Sequence, residues 1–154
     1  MAEQQERVAS ILERVRHEGD EALFDLTQRF DGVRPDPLAI PPERLAQAWE
    51  STAPSLRAAL ELAHDRITAF HRHQLPADLA VSGPHGERLG RRWRPVARAG
   101  LYVPGGRASY PSTVLMNAVP ARVAGVERIV MVTPPGPDGE PNPTVLALSL
   151  IHIS

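Results

Sequence analysis

The chain contains no cysteine and no lysine. Lacking cysteine, it can form neither disulfides nor thiolate metal sites. Lacking lysine, it carries arginine at all 17 of its basic positions, a bias that fits a G+C-rich genome rather than a binding surface. No apolar run approaches the roughly 20 residues that span a bilayer. No excess of either charge is present: the formal net charge is −1, which gives no bulk pull toward nucleic acid or an anionic membrane. The start of the chain, with Glu3, Gln4, Gln5 and Glu6, lacks the basic and apolar regions of a secretory signal. The expected location is therefore cytoplasmic, with neither nucleic acid nor membrane as partner.

At 154 residues with 42% hydrophobic content, the chain can bury one usable core. Val8, Ile11, Leu12 and Val15 repeat at helical spacing and predict an amphipathic helix to about Glu18. Asp20 is placed to cap a second helix carrying Leu23, Leu26 and Phe30, which Asp31-Gly32 ends. Pro35, Pro37, Pro41 and Pro42 mark an extended linker, with a short strand expected at Leu38 to Ile40. Pro42 and Pro54 suit the first turns of two further helices, the second running to about His73 with Leu56, Leu60, Ala63, Ile67 and Phe70 on one stripe. A turn at Gly83 to Gly86 then leads to a hairpin strand expected from Arg88 to Val96.

From Ala99 the pattern changes to strand, glycine turn, helix, strand, which is the unit of a parallel sheet. Gly100-Leu101-Tyr102-Val103 is the first strand, Gly105-Gly106 the turn, and Glu127 to Val132 the second strand. The fold class is thus α/β. Residues 1–80 form an N-terminal helical segment, and residues 81–147 are the first part of an incomplete Rossmann-like parallel-sheet domain. The loop from Pro134 to Pro143 follows.

Thr144 to Ala147 should open one more helix, but Leu148 to Ser154 alternates apolar and polar residues and ends without a cap. That string resembles the in-frame translation of a sequencing adapter, so residues 148–154 are set apart as foreign and Ala147 is taken as the last authentic residue. The alternative is a genuine short terminal strand.

The Gly105-Gly106 turn is the first chemical candidate. Adjacent glycines can take positive φ and let the backbone approach a ligand, and a helix that follows offers unpaired N–H groups to a pyrophosphate. Tyr102, at the end of the strand, could lay its ring on a nucleobase or nicotinamide. The turn does not match the full dinucleotide-binding fingerprint, and an ordinary turn explains it equally. His64 and His71 lie two helical turns apart, about 10.5 Å, too far to share one zinc. His71 and His73, near the helix end, need only the helix dipole to explain them. Arg88, Arg91, Arg92, Arg94 and Arg98 around Trp93 could bind single strands, but the balanced charge favours a solvated hairpin face. Asp20, Glu21 and Asp31 are accounted for by capping. Ser109, Ser112 and Thr113 could reach a phosphate, with capping again the simpler role.

Several longer stretches together resemble one family. Arg16-His17-Glu18-Gly19-Asp20-Glu21-Ala22-Leu23, Phe30-Asp31 and Ile67-x-x-Phe70-His71 match it, as does Arg94-Pro95-Val96. The most specific block runs from Arg94-Pro95-Val96 through Gly100 to Gly106 and Pro111-Ser112-Thr113-Val114-Leu115-Met116 to Pro120-Ala121-x-Val123-Ala124-Gly125-Val126. From about Glu3 to Ala147 the chain is similar to histidinol dehydrogenase. The resemblance implies a zinc-dependent homodimer that uses two NAD to oxidise L-histidinol to L-histidine through the bound aldehyde, its subunits sharing active sites. It implies one cofactor-binding residue here, Tyr102. It also implies that the zinc ligands and a Glu-His acid/base pair lie further along than this chain extends, so no catalytic or metal role falls on His64, His71, His73 or His152. Two other readings stay open: a related dehydrogenase acting on another small alcohol, and a non-enzymatic nucleotide-binding module.

Overall fold

The computed structural model describes residues 2–105, 110–136 and 138–153, with the side chains of 151–153 excepted. Four helices come first: α1 (Ala2–Glu18), α2 (Asp20–Asp31), α3 (Pro42–Ser51) and α4 (Pro54–Arg72). A hairpin of β1 (Leu79–Ser82) and β2 (Arg88–Arg91) follows, then β3 (Arg98–Tyr102), α5 (Pro111–Val123), β4 (Arg128–Val132) and α6 (Pro143–Ile153). β1 and β2 pair antiparallel, whereas β3 and β4 pair parallel with α5 as the crossover between them. The described residues thus form an α/β arrangement, as the sequence pattern predicts.

The core sits where α5 and α6 meet. Val114, Leu115, Ala118 and Val119 of α5 close on Val145 and Leu148 of α6, with Val103 from the end of β3 among them. Leu60, Ala63 and Ile67 of α4 pack onto this cluster, while Leu56 and Phe70, the two ends of the same predicted stripe, stay exposed. Leu101 and Met131 contribute from the strands. α6 is held from the other side by α3. Asn142 starts α6 by accepting hydrogen bonds from the Thr144 and Val145 amides at 2.9 and 3.3 Å, the standard use of an Asn cap.

α1 packs mainly against α2 and buries none of its residues fully. Arg14 links the two helices, donating to Glu18 at 3.0 Å and to Asp25 at 2.6 Å. These carboxylates, Asp25 foremost, hold its guanidinium above the usual arginine range. Exposed pairs of this kind fix geometry more than they stabilise.

Four local expectations are corrected. Gly19, not Asp20, occupies the cap position before α2; its φ of 62° permits the sharp break, and Asp20 becomes the first helical residue. Residues 38 and 39 are bends and residue 40 is irregular, and among the described residues this segment joins neither sheet. β2 stops at Arg91 instead of reaching Val96, because the Trp93 amide donates to Asp78 Oδ1 at 2.8 Å and Pro95 has no N–H to offer. The tail is helical to Ile153: Leu148 is fully buried, and the Ser149 hydroxyl donates to the Val145 carbonyl at 2.7 Å. The apparent alternation there is therefore not a strand. Ser149 satisfies its polar group inside the helix, so it interrupts the apolar pattern without interrupting the element.

Candidate functional site

Parallel pairing brings the ends of β3 and β4 to the same edge. Tyr102 stands opposite Val132 in the register, and the Val103 amide donates to the Val132 carbonyl at 2.9 Å, carrying the ladder one bond further. Alternation along each strand divides the residues between two faces. Ala99, Leu101, Ile129 and Met131 turn toward the helices, whereas Gly100, Tyr102, Val130 and Val132 share the opposite face. That face is open: Tyr102 is 63% exposed, Val132 57% and Val130 48%. A methyl group added at Gly100 would meet nothing within 4 Å. The result is a flat apolar shelf with a phenol ring at its upper end, beside the turn into α5. Such a surface can stack a planar heterocycle, and the Tyr102 hydroxyl can donate a hydrogen bond at its margin.

The turn itself behaves differently from the sequence expectation. Gly105 lies outside the left-handed region, so it is not glycine for the sake of positive φ. Its need is space: a Cβ there would lie 2.9 Å from the Pro134 carbonyl oxygen. Gly106 and Ser109 lie outside the described residues. α5 opens with Tyr110 at the cap position and Pro111 in the first turn, without a side-chain cap bond. Ser112 and Thr113 are thus inside the helix instead of capping it, which the favourable entry of Pro111 allows.

The histidines are engaged locally and are not gathered. His64 Nδ1 lies 3.1 Å from Asp65 and its Nε2 lies 3.3 Å from Thr68 Oγ1, while His71 Nδ1 lies 2.6 Å from Gln74 Oε1. Among the described residues, no group of three His, Asp or Glu could hold a metal ion, so the residues present do not fit zinc. Around the hairpin, Arg91 stacks over Trp93 at 5.1 Å, and Arg94 donates to the Trp93 carbonyl and faces Asp78. The basic stretch is thereby partly tied up in its own fold. Among the described residues, no helix is long and apolar enough to cross a membrane.

Sequence reasoning singled out Tyr102 but not its neighbours on the shelf, Val130 and Val132, nor the Gly105–Pro134 contact. Both depend on the strand register, and a single strand read alone does not specify its partner.

A parallel strand pair joined by a crossover helix defines the class: the chain is part of an α/β protein, with an exposed aromatic at the C-terminal edge of the pair. Comparison with known proteins narrows this. The family model described as histidinol dehydrogenase matches residues 1–153. The histidinol dehydrogenase of Parasynechococcus marenigrum is 64% identical over 143 residues, covering 93% of this chain and 33% of that protein. That of Prochlorococcus marinus (strain MIT 9313) is 64% identical over 140 residues, covering 91% and 32%. A crystal structure of histidinol dehydrogenase from Elizabethkingia anophelis superposes with a TM-score of 0.89 at 31% identity, covering 96% of this chain and 34% of that one. The chain belongs to the histidinol dehydrogenase family, and it spans about a third of the length of the relatives it matches.

Proposed function

We propose that this chain is the N-terminal part of a histidinol dehydrogenase of histidine biosynthesis, which oxidises L-histidinol to L-histidine through the aldehyde with NAD. The observation that carries the reading is the family match along residues 1–153. In this reading the protein works in the cytoplasm as a zinc-dependent homodimer, with a small-molecule substrate and no nucleic-acid or membrane partner. Residues 148–154 are read as foreign to it from their adapter-like sequence alone, since the family match runs on to residue 153 and Leu148 packs in the core.

When bound, NAD accepts the hydride removed from the substrate carbon. The contribution of this chain is to receive and orient part of that cofactor. Tyr102 would stack on one of its rings, and Val132, its partner across the ladder, would supply apolar contact beside it. The buried Val103 anchors the strand end so that the ring is presented in one place. None of the roles assigned to these residues runs through zinc, whose ligands fall to the remainder of the protein. Without a Lewis acid and a general base the isolated chain does not turn over substrate.

The test is a chimera in which residues 1–147 replace the matching third of the Parasynechococcus marenigrum enzyme. Tyr102→Ala in that chimera should weaken NAD binding by about 2- to 12-fold, equivalent to a stacking contact of about 0.5–1.5 kcal/mol. Tyr102→Phe should retain most of the affinity. Unchanged NAD affinity in Tyr102→Ala removes this residue from the cofactor site.

A further inference from the structure

The face of the β3–β4 pair turned away from the helices is laid out in rows. Arg98 stands opposite Arg128, Gly100 opposite Val130 and Tyr102 opposite Val132, and all of them are exposed. We propose that this face seats a helix that follows residue 147 in the whole protein, with a large apolar side chain over Gly100 and a carboxylate between Arg98 and Arg128. The inference goes beyond the reading of Tyr102 as a cofactor contact and does not depend on it.

The arginine row calls for an anion. Adjacent strands lie about 4.8 Å apart, and like charges side by side on them repel. Among the described residues neither the Arg98 nor the Arg128 guanidinium has a hydrogen-bond or ion-pair partner, and the face itself carries no carboxylate. Glycine weakens a strand interior and marks a place where another group comes close. Gly100 serves no need of this chain: its φ is not positive, and a Cβ there would meet nothing within 4 Å. The room above it is left for an incoming side chain. Parallel sheets are covered by helices on both faces, and α5 and α6 cover only the other one. The chain spans about a third of the length of its relatives, so the remainder is long enough to supply the missing helix. A second copy is the poorer occupant, since it brings the same two arginines and no carboxylate. A cofactor phosphate is poorer too. The arginines lie four residues, about 13 Å, from Tyr102, at the edge opposite the C-terminal strand ends where such sheets bind ligands. Gly100 and Arg98 are about 6.6 Å apart along the strand, and one helical turn rises about 5.4 Å. The occupant thus carries its apolar residue and its Asp or Glu about one turn apart.

In the chimera, two substitutions separate a covered face from a free one by the sign of their effect. On a free face Gly100→Val fills open space with a residue suited to strands, and the melting temperature would hold or rise. Under a seated helix the new side chain collides, and the melting temperature should fall by at least about 2 °C. On a free face Arg98→Glu replaces a like-charge pair by an ion pair with Arg128, which is neutral or stabilising. Against a seated carboxylate it is repulsive, and a fall of similar size is expected. An unchanged or higher melting temperature in Gly100→Val overturns the seat, and the same result in Arg98→Glu overturns the carboxylate. The occupant is identified by placing photoreactive p-benzoylphenylalanine at Val130. Irradiation should give a cross-link within one chain, to a helix beyond residue 147 that carries an Asp or Glu about one turn from a large apolar residue. A cross-linked dimer, a link that stays within residues 1–147, or no cross-link at all overturns the proposal. If the Val130 variant does not fold, the two melting temperatures decide; if Gly100→Val does not fold, Arg98→Glu and the cross-link decide.

Discussion

Replacing Val130 and Val132 together by threonine should reduce self-association of the isolated chain without unfolding it. Both valines lie on the open face of the β3–β4 pair, 48% and 57% exposed, and Tyr102 extends the same apolar surface. Parallel sheets are ordinarily covered on both faces, and here the helical core covers one. Fully burying a valine is worth about 1.5–3 kcal/mol. About half of that remains unrealised at each position, so the pair holds back roughly 1.5–3 kcal/mol. Two chains that meet on this face recover it from each, about 3–6 kcal/mol in all, of which threonine removes a part. Threonine keeps the β-branched shape that suits a strand while replacing a methyl by a hydroxyl. Sedimentation velocity across a concentration series measures the effect. The parent chain should form concentration-dependent oligomers, and the double variant should need at least about tenfold more protein to do so. A parent chain that stays a monodisperse monomer, or a double variant that assembles at the same concentration, refutes the argument from the uncovered face.

Further predictions concern the core, a helix cap and the chain end. Val114→Ala removes two methyl groups from a fully buried site against α6. It should destabilise the chimera by about 2–3 kcal/mol in urea unfolding; a change near zero would mean that the α5–α6 contact does not hold the domain. Asn142→Ala deletes the acceptor for the Thr144 and Val145 amides and should cost about 1 kcal/mol in the same assay, with Asn142→Asp close to neutral. DNA read from the source organism across the codon for Ala147 should continue into sequence unlike Leu148 to Ser154; finding the same seven residues there makes them native.

Most of this fold can be read from local signals. Glycine and proline punctuation gives α3 and α4 their starts, and the change of period at Ala99 gives β3, α5 and β4 their order. The α4 stripe is legible in full, and its middle, Leu60, Ala63 and Ile67, is what packs onto the core. Where reading failed, a partner elsewhere in the chain decided the outcome. The expected strand at 38–40 joins neither sheet among the described residues. The β2 strand ended early because Asp78, fifteen residues away, took the Trp93 amide. The tail is helical where α3 and α5 both pack against α6. At the site, Tyr102 was visible as an aromatic at the end of a strand, since that depends on sequence order alone. The apolar face beside it and the Gly105–Pro134 contact arise from the register between β3 and β4. Pattern within one strand carries no information about which residue of the next lies opposite.

The most direct test of the account is the NADH yield of the chimera with L-histidinol as sole substrate. Two NADH formed per L-histidinol consumed, with L-histidine as product, is the predicted result. A chimera that folds and retains zinc yet forms no NADH would contradict the claim that this chain supplies part of a working histidinol dehydrogenase.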